Sequence, residues 1–401
     1  MSDRMLPAMY DLLIVGGGVV GSYLAGEMAG LGLRVLVLEE HPAPGEDITC
    51  TGIVGRECLD LLNLPPGLVL REVRGATVFS PSGLEVALER EEPQAFVLDR
   101  PALDRHLAER AQARGAQYVW GARAKGLATE GGKVVALGEG DSTWEGEALV
   151  LACGFGPTLP SRAGLGEIRE STTGIQAEVA SPVEGVEIYL GNSFSRGFFG
   201  WLVPTRPGRA LVGLMGNRPY PGFQALLEHL KGKGRIDSLP PRPASAPIPL
   251  RPLPRTYGER LLAVGEAAGQ VKPTTGGGIY YGLLGARAAV ATLKQAFSSG
   301  DLSARGLAPY QKEWQRVLGK ELMVGRWARG IFSRLSDRQM DELVRFFKDS
   351  GLAEEMVGGF SFDWHSRLIT RALGHGGLKA FLRLIGIGLS GGPAQAEPRQ
   401  K

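Results

Sequence analysis

The sequence contains little of what disulfide-rich, metal-binding and membrane-spanning proteins need. Its 401 residues include three cysteines, Cys50, Cys58 and Cys153, none of them in CxxC spacing. An odd number of widely spaced cysteines predicts neither a disulfide framework nor a zinc site, and it indicates a reducing compartment. No apolar stretch reaches about 18 residues. We therefore expect no membrane-spanning helix, no bound metal and a cytoplasmic location.

An excess of charge of one sign is also missing. Lys and Arg number 45 against 42 Asp and Glu, a net charge of +3, so composition predicts no nucleic-acid partner. The hydrophobic share of 43% is typical of a globular protein, and 59 glycines with 26 prolines indicate many tight turns. The length predicts about two to three domains.

Residues 10–40 read as an apolar strand, a glycine-rich turn, a helix of small residues, a second apolar strand and an acid. Gly16, Gly18 and Gly21 have GxGxxG spacing, and Glu39 follows Gly18 by 21 residues. This is the dinucleotide-binding pattern in the context that it requires.

Each part of this pattern has a physical role. The first glycine permits the tight turn, the second lets a pyrophosphate approach the backbone, and the third lets helix and strand pack closely. The start of the helix offers free N–H groups to the phosphates. Glu39 can accept hydrogen bonds from ribose hydroxyls and would repel a 2′-phosphate, which predicts FAD or NAD rather than NADP. The residues assigned to the dinucleotide here are Gly16, Gly18, Val19, Val20, Gly21, Glu39 and Glu40.

A second glycine-rich turn lies in residues 260–280. A buried strand leads to Glu266, and Gly276–Gly278 open the helix that follows a proline-containing loop. Beside a flavin, such an opening would stabilise negative charge on the reduced ring, and Glu266 could bond the ribityl hydroxyls. Two separated turns of this kind indicate a bound dinucleotide much more specifically than one turn does.

The remaining segments predict an inserted domain and a helical end. Residues 165–255 contain short alternating strands separated by Gly and Pro, residues 74–98 read as a hairpin, and residues 301–390 are mainly helical. Basic residues among apolar ones near the end, including Lys379 and Arg383, fit either a membrane surface or a capping helix. The expected divisions are FAD-binding segments at 8–73, 99–164 and 256–300, substrate-domain segments at 74–98 and 165–255, helices at 301–390 and a tail at 391–401.

In this order the motifs resemble the geranylgeranyl reductase family of FAD-dependent oxidoreductases, within the p-hydroxybenzoate hydroxylase-like flavoproteins. The resemblance covers nearly the whole chain. It implies an α/β Rossmann-like FAD-binding domain, an inserted antiparallel-sheet (α+β) substrate domain and a helical C-terminal region. It rests on the first glycine turn with Glu39, Cys50-Thr51-Gly52, Asp99-Arg100 with Asp104, Phe199-x-Trp201-x-x-Pro204 with Gly213, Gly265–Gly269 with Pro273 and Gly276–Gly278, and Tyr310 with Trp314.

The resemblance also assigns roles. Cys50, which spacing alone leaves as a buried small residue, would lie near the flavin ring and is the candidate catalytic residue. Arg100, which could otherwise cap a strand, would contact FAD. Phe199, Trp201, Pro204 and Tyr280 would line the substrate pocket. Further cofactor contacts are expected from Thr51, Gly52, Ala124, Ala152, Gly154, Gly265, Glu266, Pro273, Gly276, Gly277, Gly278 and Ile279.

Three positions depart from the pattern of the family. Glu266 replaces the usual aspartate, Met215 replaces a glycine, and Cys153 precedes Gly154 where related hydroxylases have Asp-Gly. The last change weakens a hydroxylase assignment.

The resulting hypothesis is a reductase of C=C bonds in prenyl lipids that receives electrons from an external donor such as NAD(P)H or a ferredoxin. A peripheral contact with a membrane is a further expectation. The alternatives are an aromatic hydroxylase, an electron-transferring dehydrogenase and a flavin- and lipid-binding protein without turnover.

Overall fold

The structure is a computed structural model that describes residues 9–156, 158–240, 242–351 and 361–374, together with Gly376 and Gly386. The expected helix beyond residue 374, with Lys379 and Arg383, and the tail at 391–401 lie outside the described residues.

The first sheet has eight strands, of which five run parallel as β18, β11, β1, β2 and β8. Its two inner strands, β1 and β2, read LLIV and VLVLE and are buried throughout, as expected for a sheet covered on both faces. The strands are β1 Tyr10–Val15, β2 Val35–Glu39, β8 Gln117–Trp120, β9 Gly126–Glu130, β10 Lys133–Leu137, β11 Thr143–Leu151, β17 Tyr257–Gly258 and β18 Leu261–Ala263.

Three helices cover one face of this sheet and form the largest apolar core: α1 Val19–Ala29, α3 Arg100–Ala113 and α6 Ile279–Ser299. Both glycine-rich turns lead directly into one of these helices. The strand–turn–helix units predicted from the sequence are thus confirmed, and the turns meet at the carboxyl ends of the parallel strands. Two shorter helices are α2 Arg56–Leu62 and α4 Leu159–Arg162, and single 3₁₀ turns span Pro66–Leu68 and Gly265–Ala268.

The second sheet has seven strands in the order β16-β12-β15-β14-β13-β5-β6. Helix α5, Pro219–Gly232, packs its apolar side against this sheet. The strands are β5 Gly75–Phe79, β6 Glu85–Glu89, β12 Ser171–Ala180, β13 Val186–Tyr189, β14 Gly200–Pro204, β15 Arg209–Gly216 and β16 Ala244–Pro249.

One pairing in the second sheet differs from the antiparallel arrangement that we predicted. Strands β5 and β13 run parallel, with Phe79 opposite Tyr189. The predicted hairpin β5–β6 forms, and it joins the inserted strands through this parallel junction, which no local sequence pattern encodes. Its continuation, β7 Ala95–Leu98, instead pairs with β3 Ile53–Val54 and β4 Val69–Val73 in a separate three-stranded sheet.

The C-terminal region is helical, with α7 Ala304–Phe332, α8 Asp337–Asp349 and α9 His365–Gly374. Helix α7 begins at Ala304 because the Ser303 side chain accepts a hydrogen bond from Gly306 N–H and caps it. Tyr310 on this helix is buried and donates a hydrogen bond to the Ala263 carbonyl at 2.7 Å. The helix is therefore fixed to the strand that leads into the second glycine turn. The described helices include none whose length and hydropathy would let it cross a bilayer.

Candidate functional site

A cavity of about 850 Å³ lies at the carboxyl ends of β1, β2 and β11 and extends to the second sheet. Backbone from both glycine turns lines it, together with residues 43–54 and side chains of β12, β14 and β16. The carboxyl ends of parallel strands are where open α/β sheets bind ligands.

The first glycine turn has the shape that its sequence predicts. Gly16 has φ +104°, a region that favours glycine, and a Cβ there would collide with the Ala152 carbonyl. A Cβ on Gly21 would collide with the Gly16 carbonyl oxygen, so helix α1 packs directly on the turn. Around Gly18, in contrast, no atom of the described residues lies within 4 Å of a Cβ position. Close packing behind the turn and open space in front of it leave the backbone accessible to a ligand.

Glu39 is held in place by two backbone donors. Gly17 N–H donates to its Oε2 at 2.6 Å and His41 N–H to its Oε1 at 2.9 Å, while His41 Nδ1 lies 2.7 Å from Oε1. The side chain lines the cavity. It therefore braces the glycine turn in addition to presenting a carboxylate to the cavity. The neighbouring Glu40 also lines the cavity and pairs with Arg123 at 3.3 Å.

The segment Cys50-Thr51-Gly52 crosses the cavity between the two sheets. Thr51 Oγ1 donates to Gln176 Oε1 of β12 at 3.2 Å, and Gly52, with φ +72°, has its Cβ position against the Leu98 carbonyl and the Arg100 side chain. Cys50 interacts with the Arg100 guanidinium. The structure thus places the predicted thiol in the cavity wall beside a fixed positive charge.

Arg100 combines burial with spare hydrogen-bonding capacity. Its Nη2 donates to Asp104 Oδ1 at 3.1 Å, and its buried Nε has no hydrogen-bond partner among the described residues. Burial works to lower its pKa, but Cys50 and Asp104 outweigh this effect, and the net shift is upward. The guanidinium is therefore a permanent cation at the cavity wall.

Glu266 presents a carboxylate to the cavity from the second glycine turn. Burial raises its pKa, while the charge of Arg100 acts in the opposite direction. No hydrogen bond to its side chain occurs in the described part of the chain, and its Oε1 lies 2.8 Å from a Cβ position on Gly278. A half-buried acid that receives no hydrogen bond from the described residues fits a ligand that carries hydroxyl groups.

Lys272 and Asp363 are functional candidates that sequence reasoning missed. They form a buried ion pair of 2.6 Å at the cavity wall, and Lys272 also donates to the Phe362 carbonyl at 2.9 Å. Backbone bonds between Lys272 and Gly276–Gly277 close the second glycine turn. An isolated lysine and an isolated aspartate, 91 positions apart, carry no sequence signal that links them.

The remaining predicted residues divide into two groups. Trp201 and Tyr280 line the cavity; Phe199 and Pro204 do not, because Phe199 packs edge-on against Trp201 and Pro204 is buried in β14. Pro273 is also absent from the lining and lies against Gly325 of α7. The other predicted residues at the lining are Val19, Val20, Ala124, Ala152, Gly154, Gly265, Gly276, Gly277, Gly278 and Ile279.

These observations fit a bound dinucleotide of the FAD type. The open approach at Gly18 suits a pyrophosphate. Within the described part of the chain, the Glu266 carboxylate accepts no hydrogen bond, which suits a polyhydroxyl chain, and the Arg100 Nε has no acceptor. The described residues contain no group of His, Cys, Asp and Glu side chains that could hold a metal ion.

Comparisons with known proteins agree with this reading. The sequence profile of the FAD dependent oxidoreductase family matches residues 70–244. Digeranylgeranylglycerophospholipid reductase 2 of Methanothermobacter thermautotrophicus is 32% identical over 86% of this chain and 93% of its own length. A digeranylgeranylglycerophospholipid reductase of Methanospirillum hungatei is 30% identical over 86% of this chain and 91% of its own.

Solved structures share the fold. The structure of a geranylgeranyl bacteriochlorophyll reductase-like protein from Thermoplasma acidophilum superposes with a TM-score of 0.82 at 23% identity, covering 94% of this chain and 98% of the other. A halogenase in complex with FAD superposes with a TM-score of 0.65 at 15% identity, covering 94% and 85%. Together with the sequence relatives, the motifs establish that this chain belongs to the geranylgeranyl reductase family of FAD-dependent oxidoreductases.

Proposed function

We propose that the protein saturates C=C bonds in the geranylgeranyl chains of a glycerophospholipid. The observation that carries this proposal is a single cavity shared by both glycine turns and an apolar wall. Trp201, Met215 and Ile248 form that wall, and Tyr280 lines the cavity as well. An apolar surface beside the turns suits a hydrocarbon chain better than a polar substrate.

Reduced FAD, when bound, supplies a hydride to one carbon of the alkene. The other carbon needs a proton, and the protein must provide its source. The apolar residues of the wall carry no acidic proton, so the proton has to come from another side chain or from a bound water. Cys50 and Tyr280 both line the cavity and both carry a proton on sulfur or oxygen.

Tyr280 is connected to solvent by a short chain of hydrogen bonds. Its hydroxyl donates to Glu57 Oε2 at 2.7 Å, and Glu57 is exposed on α2. Burial, with Glu57 beside it, raises the pKa of Tyr280, so the hydroxyl keeps its proton at neutral pH. A proton given to the alkene can be replaced from water through the Glu57 carboxyl group.

Cys50 is the second candidate for the proton, as the family resemblance suggests. Its thiol lies beside the Arg100 guanidinium at the cavity wall. Cys153 is the matched thiol for comparison, since it also lines the cavity while burial raises its pKa to about 12.

One anaerobic experiment tests the function. The FAD-loaded protein is reduced without oxygen and mixed with a geranylgeranyl glycerophosphate lipid, and flavin absorbance and lipid mass are followed together. We expect reoxidation coupled to a gain of two hydrogen atoms per bond. Slower reoxidation in Cys50→Ala than in Cys153→Ala would assign the proton to Cys50 instead of Tyr280. Reoxidation only after oxygen is admitted, with unchanged lipid, would contradict the proposal and favour an oxygen-using hydroxylase.

The electron donor and the site of action complete the proposal. We place the donor in the NAD(P)H or ferredoxin class, because two electrons must reach the flavin before each alkene is reduced. The lipid substrate resides in bilayers, so a peripheral contact of this protein with a membrane surface is part of the proposal. Donor identity is tested by the rate of flavin reduction with each reductant, and membrane contact by co-sedimentation with anionic vesicles.

A further inference from the structure

Three arginines converge on one carboxylate at the junction of α7 with the second sheet. Glu170, the residue before β12, pairs with Arg251 at 2.8 Å, with Arg326 at 3.8 Å and with Arg329. Arg251 follows β16, and the other two lie in the last turns of α7. We name Arg251, Arg326 and Arg329 the arginine cluster. When Glu170 is included, the three arginines are opposed by one carboxylate, so two positive charges remain unbalanced.

The unbalanced positive charge of the arginine cluster affects the pKa of its own members. Burial lowers the pKa of Arg326, and the charges of Arg251 and Arg329 lower it further, against the opposing effect of Glu170. Arg329 is 16% exposed, and its buried Nε has no hydrogen-bond partner in the described part of the chain. An additional anion would relieve the repulsion and use the spare donor.

The arginine cluster stands behind the apolar wall of the cavity. The guanidinium of Arg329 lies over the ring of Phe198, 5.4 Å from its centroid. Phe198 packs in one cluster with Met215 and Ile248, which line the cavity. One layer of apolar side chains therefore separates the arginines from the cavity.

Helix α7 provides a second link between the cluster and the cofactor site. Gly325, directly before Arg326, packs against Pro273 and Thr274 of the second glycine turn, with a Cβ position 3.4 Å from Pro273 Cδ. Arg326 and the residue that contacts the turn are thus adjacent in one helix.

We propose that the arginine cluster binds the phosphate of the lipid substrate, so that the prenyl chain passes around the closed layer at Phe198 to enter the cavity. This inference rests on the proposed function. Guanidinium groups present paired N–H donors that match phosphate oxygens, and several arginines in one place favour a dianionic or diester phosphate over a lone carboxylate. The apolar layer next to them suits the first carbons of an attached chain.

Binding to the resting FAD-loaded protein tests the inference without turnover. The probes are a geranylgeranyl glycerophosphate lipid in neutral detergent, uncharged geranylgeraniol and inorganic phosphate. Arg326→Gln should raise the Kd of the phospholipid about tenfold, the loss expected for one charged hydrogen bond, and leave that of geranylgeraniol unchanged. Glu170→Gln should lower the Kd of the phospholipid, because it removes the competing carboxylate.

Arg316→Gln is the matched control, since Arg316 lies on the same helix in an exposed pair with Glu313 at 2.7 Å. It should change neither Kd. Equal weakening by Arg316→Gln and Arg326→Gln would mean a nonspecific charge effect and would overturn the inference.

Further outcomes separate the possible sources of the anion. Inorganic phosphate that binds as tightly as the lipid would indicate a free-phosphate site and overturn the inference. Slower flavin reduction by a ferredoxin in Arg326→Gln, with an unchanged Kd for the lipid, would also overturn the inference. The cluster would then bind an acidic protein. Weaker phospholipid binding in Arg326→Gln, with no lipid reduced by the wild type, would support the inference and reject the proposed reductase.

Discussion

Lys272 and Asp363 form an ion pair of 2.6 Å in which both side chains are at most 4% exposed. The pair joins the second glycine turn to the segment that begins α9. The carboxylate of Asp363 also fills the space over Gly55, where a Cβ would collide with it. Three parts of the chain that are distant in sequence therefore meet at one buried charge pair.

The first prediction concerns this pair. Lys272→Met leaves Asp363 buried without its cation, and we expect the free energy of unfolding to fall by about 3–5 kcal/mol. The double variant Lys272→Met/Asp363→Leu should recover most of that loss, because no lone charge remains. Urea denaturation of the FAD-loaded proteins measures both values. A double variant as unstable as the single one would contradict this account.

Gly18 and Gly21 should respond differently to the same substitution. Gly21→Ala places a methyl group on the Gly16 carbonyl, so we expect misfolding or severe destabilisation. Gly18→Ala has free space in the protein, so the apoprotein should fold normally while FAD binding weakens, because the methyl group projects where the pyrophosphate approaches. Circular dichroism of the apoprotein and FAD titration separate the two effects. Normal FAD affinity in Gly18→Ala would move the pyrophosphate away from this turn.

Adjacent tyrosines allow a matched test of proton supply. Tyr280→Phe removes the hydroxyl that bonds Glu57, whereas Tyr281→Phe removes one that bonds the Asp363 carbonyl at 3.0 Å. We expect Tyr280→Phe to slow reoxidation of the reduced flavin by lipid about 10²–10⁴-fold, the usual range for general acid catalysis. Tyr281→Phe should leave that rate close to wild type. Stopped-flow measurements in H₂O and D₂O check this, and equal rates for both variants would exclude Tyr280 as the donor.

His365 should make stability depend on pH in the acid range. Its Nδ1 lies 2.8 Å from Thr274 Oγ1 and its Nε2 lies 2.9 Å from the Phe362 carbonyl oxygen, an arrangement that suits the neutral ring. Burial, reinforced by the charge of Lys272, lowers the pKa of His365 to about 4.

The sign of the effect follows from this lowered pKa. Between pH about 6.5 and 4 the unfolded chain binds a proton at this histidine and the folded protein does not. As the pH is lowered through this range, the free energy of unfolding therefore decreases by up to about 3 kcal/mol. Above pH about 6.5 the full stability is present. His365→Gln should flatten this part of the stability curve, measured by denaturant titration at several pH values. Parallel curves for variant and wild type would disprove the assignment.

Local patterns predicted the parts of the site that depend on backbone shape. The roles of Gly16 and Gly21 follow from their spacing, because the need for a residue without a Cβ depends only on the backbone geometry of one strand–turn–helix unit. Lys272 and Asp363 could not be found this way, since their pairing depends on where a distant helix docks. Phe199 belongs to a motif that predicts a pocket residue, but it precedes β14, which begins at Gly200, and its ring packs edge-on against Trp201 instead of lining the cavity.

The parallel junction between β5 and β13 has a consequence for biosynthesis. Phe79 pairs with Tyr189, and the β5–β6 hairpin ends at Glu89, so about 100 further residues, from Glu89 to Tyr189, must be made before its free edge is covered. At about 5–20 residues per second, a ribosome needs roughly 5 to 20 s to supply them. During this interval the nascent polypeptide displays an open strand edge, and a chaperone that recognises such edges would protect it from association with other growing chains.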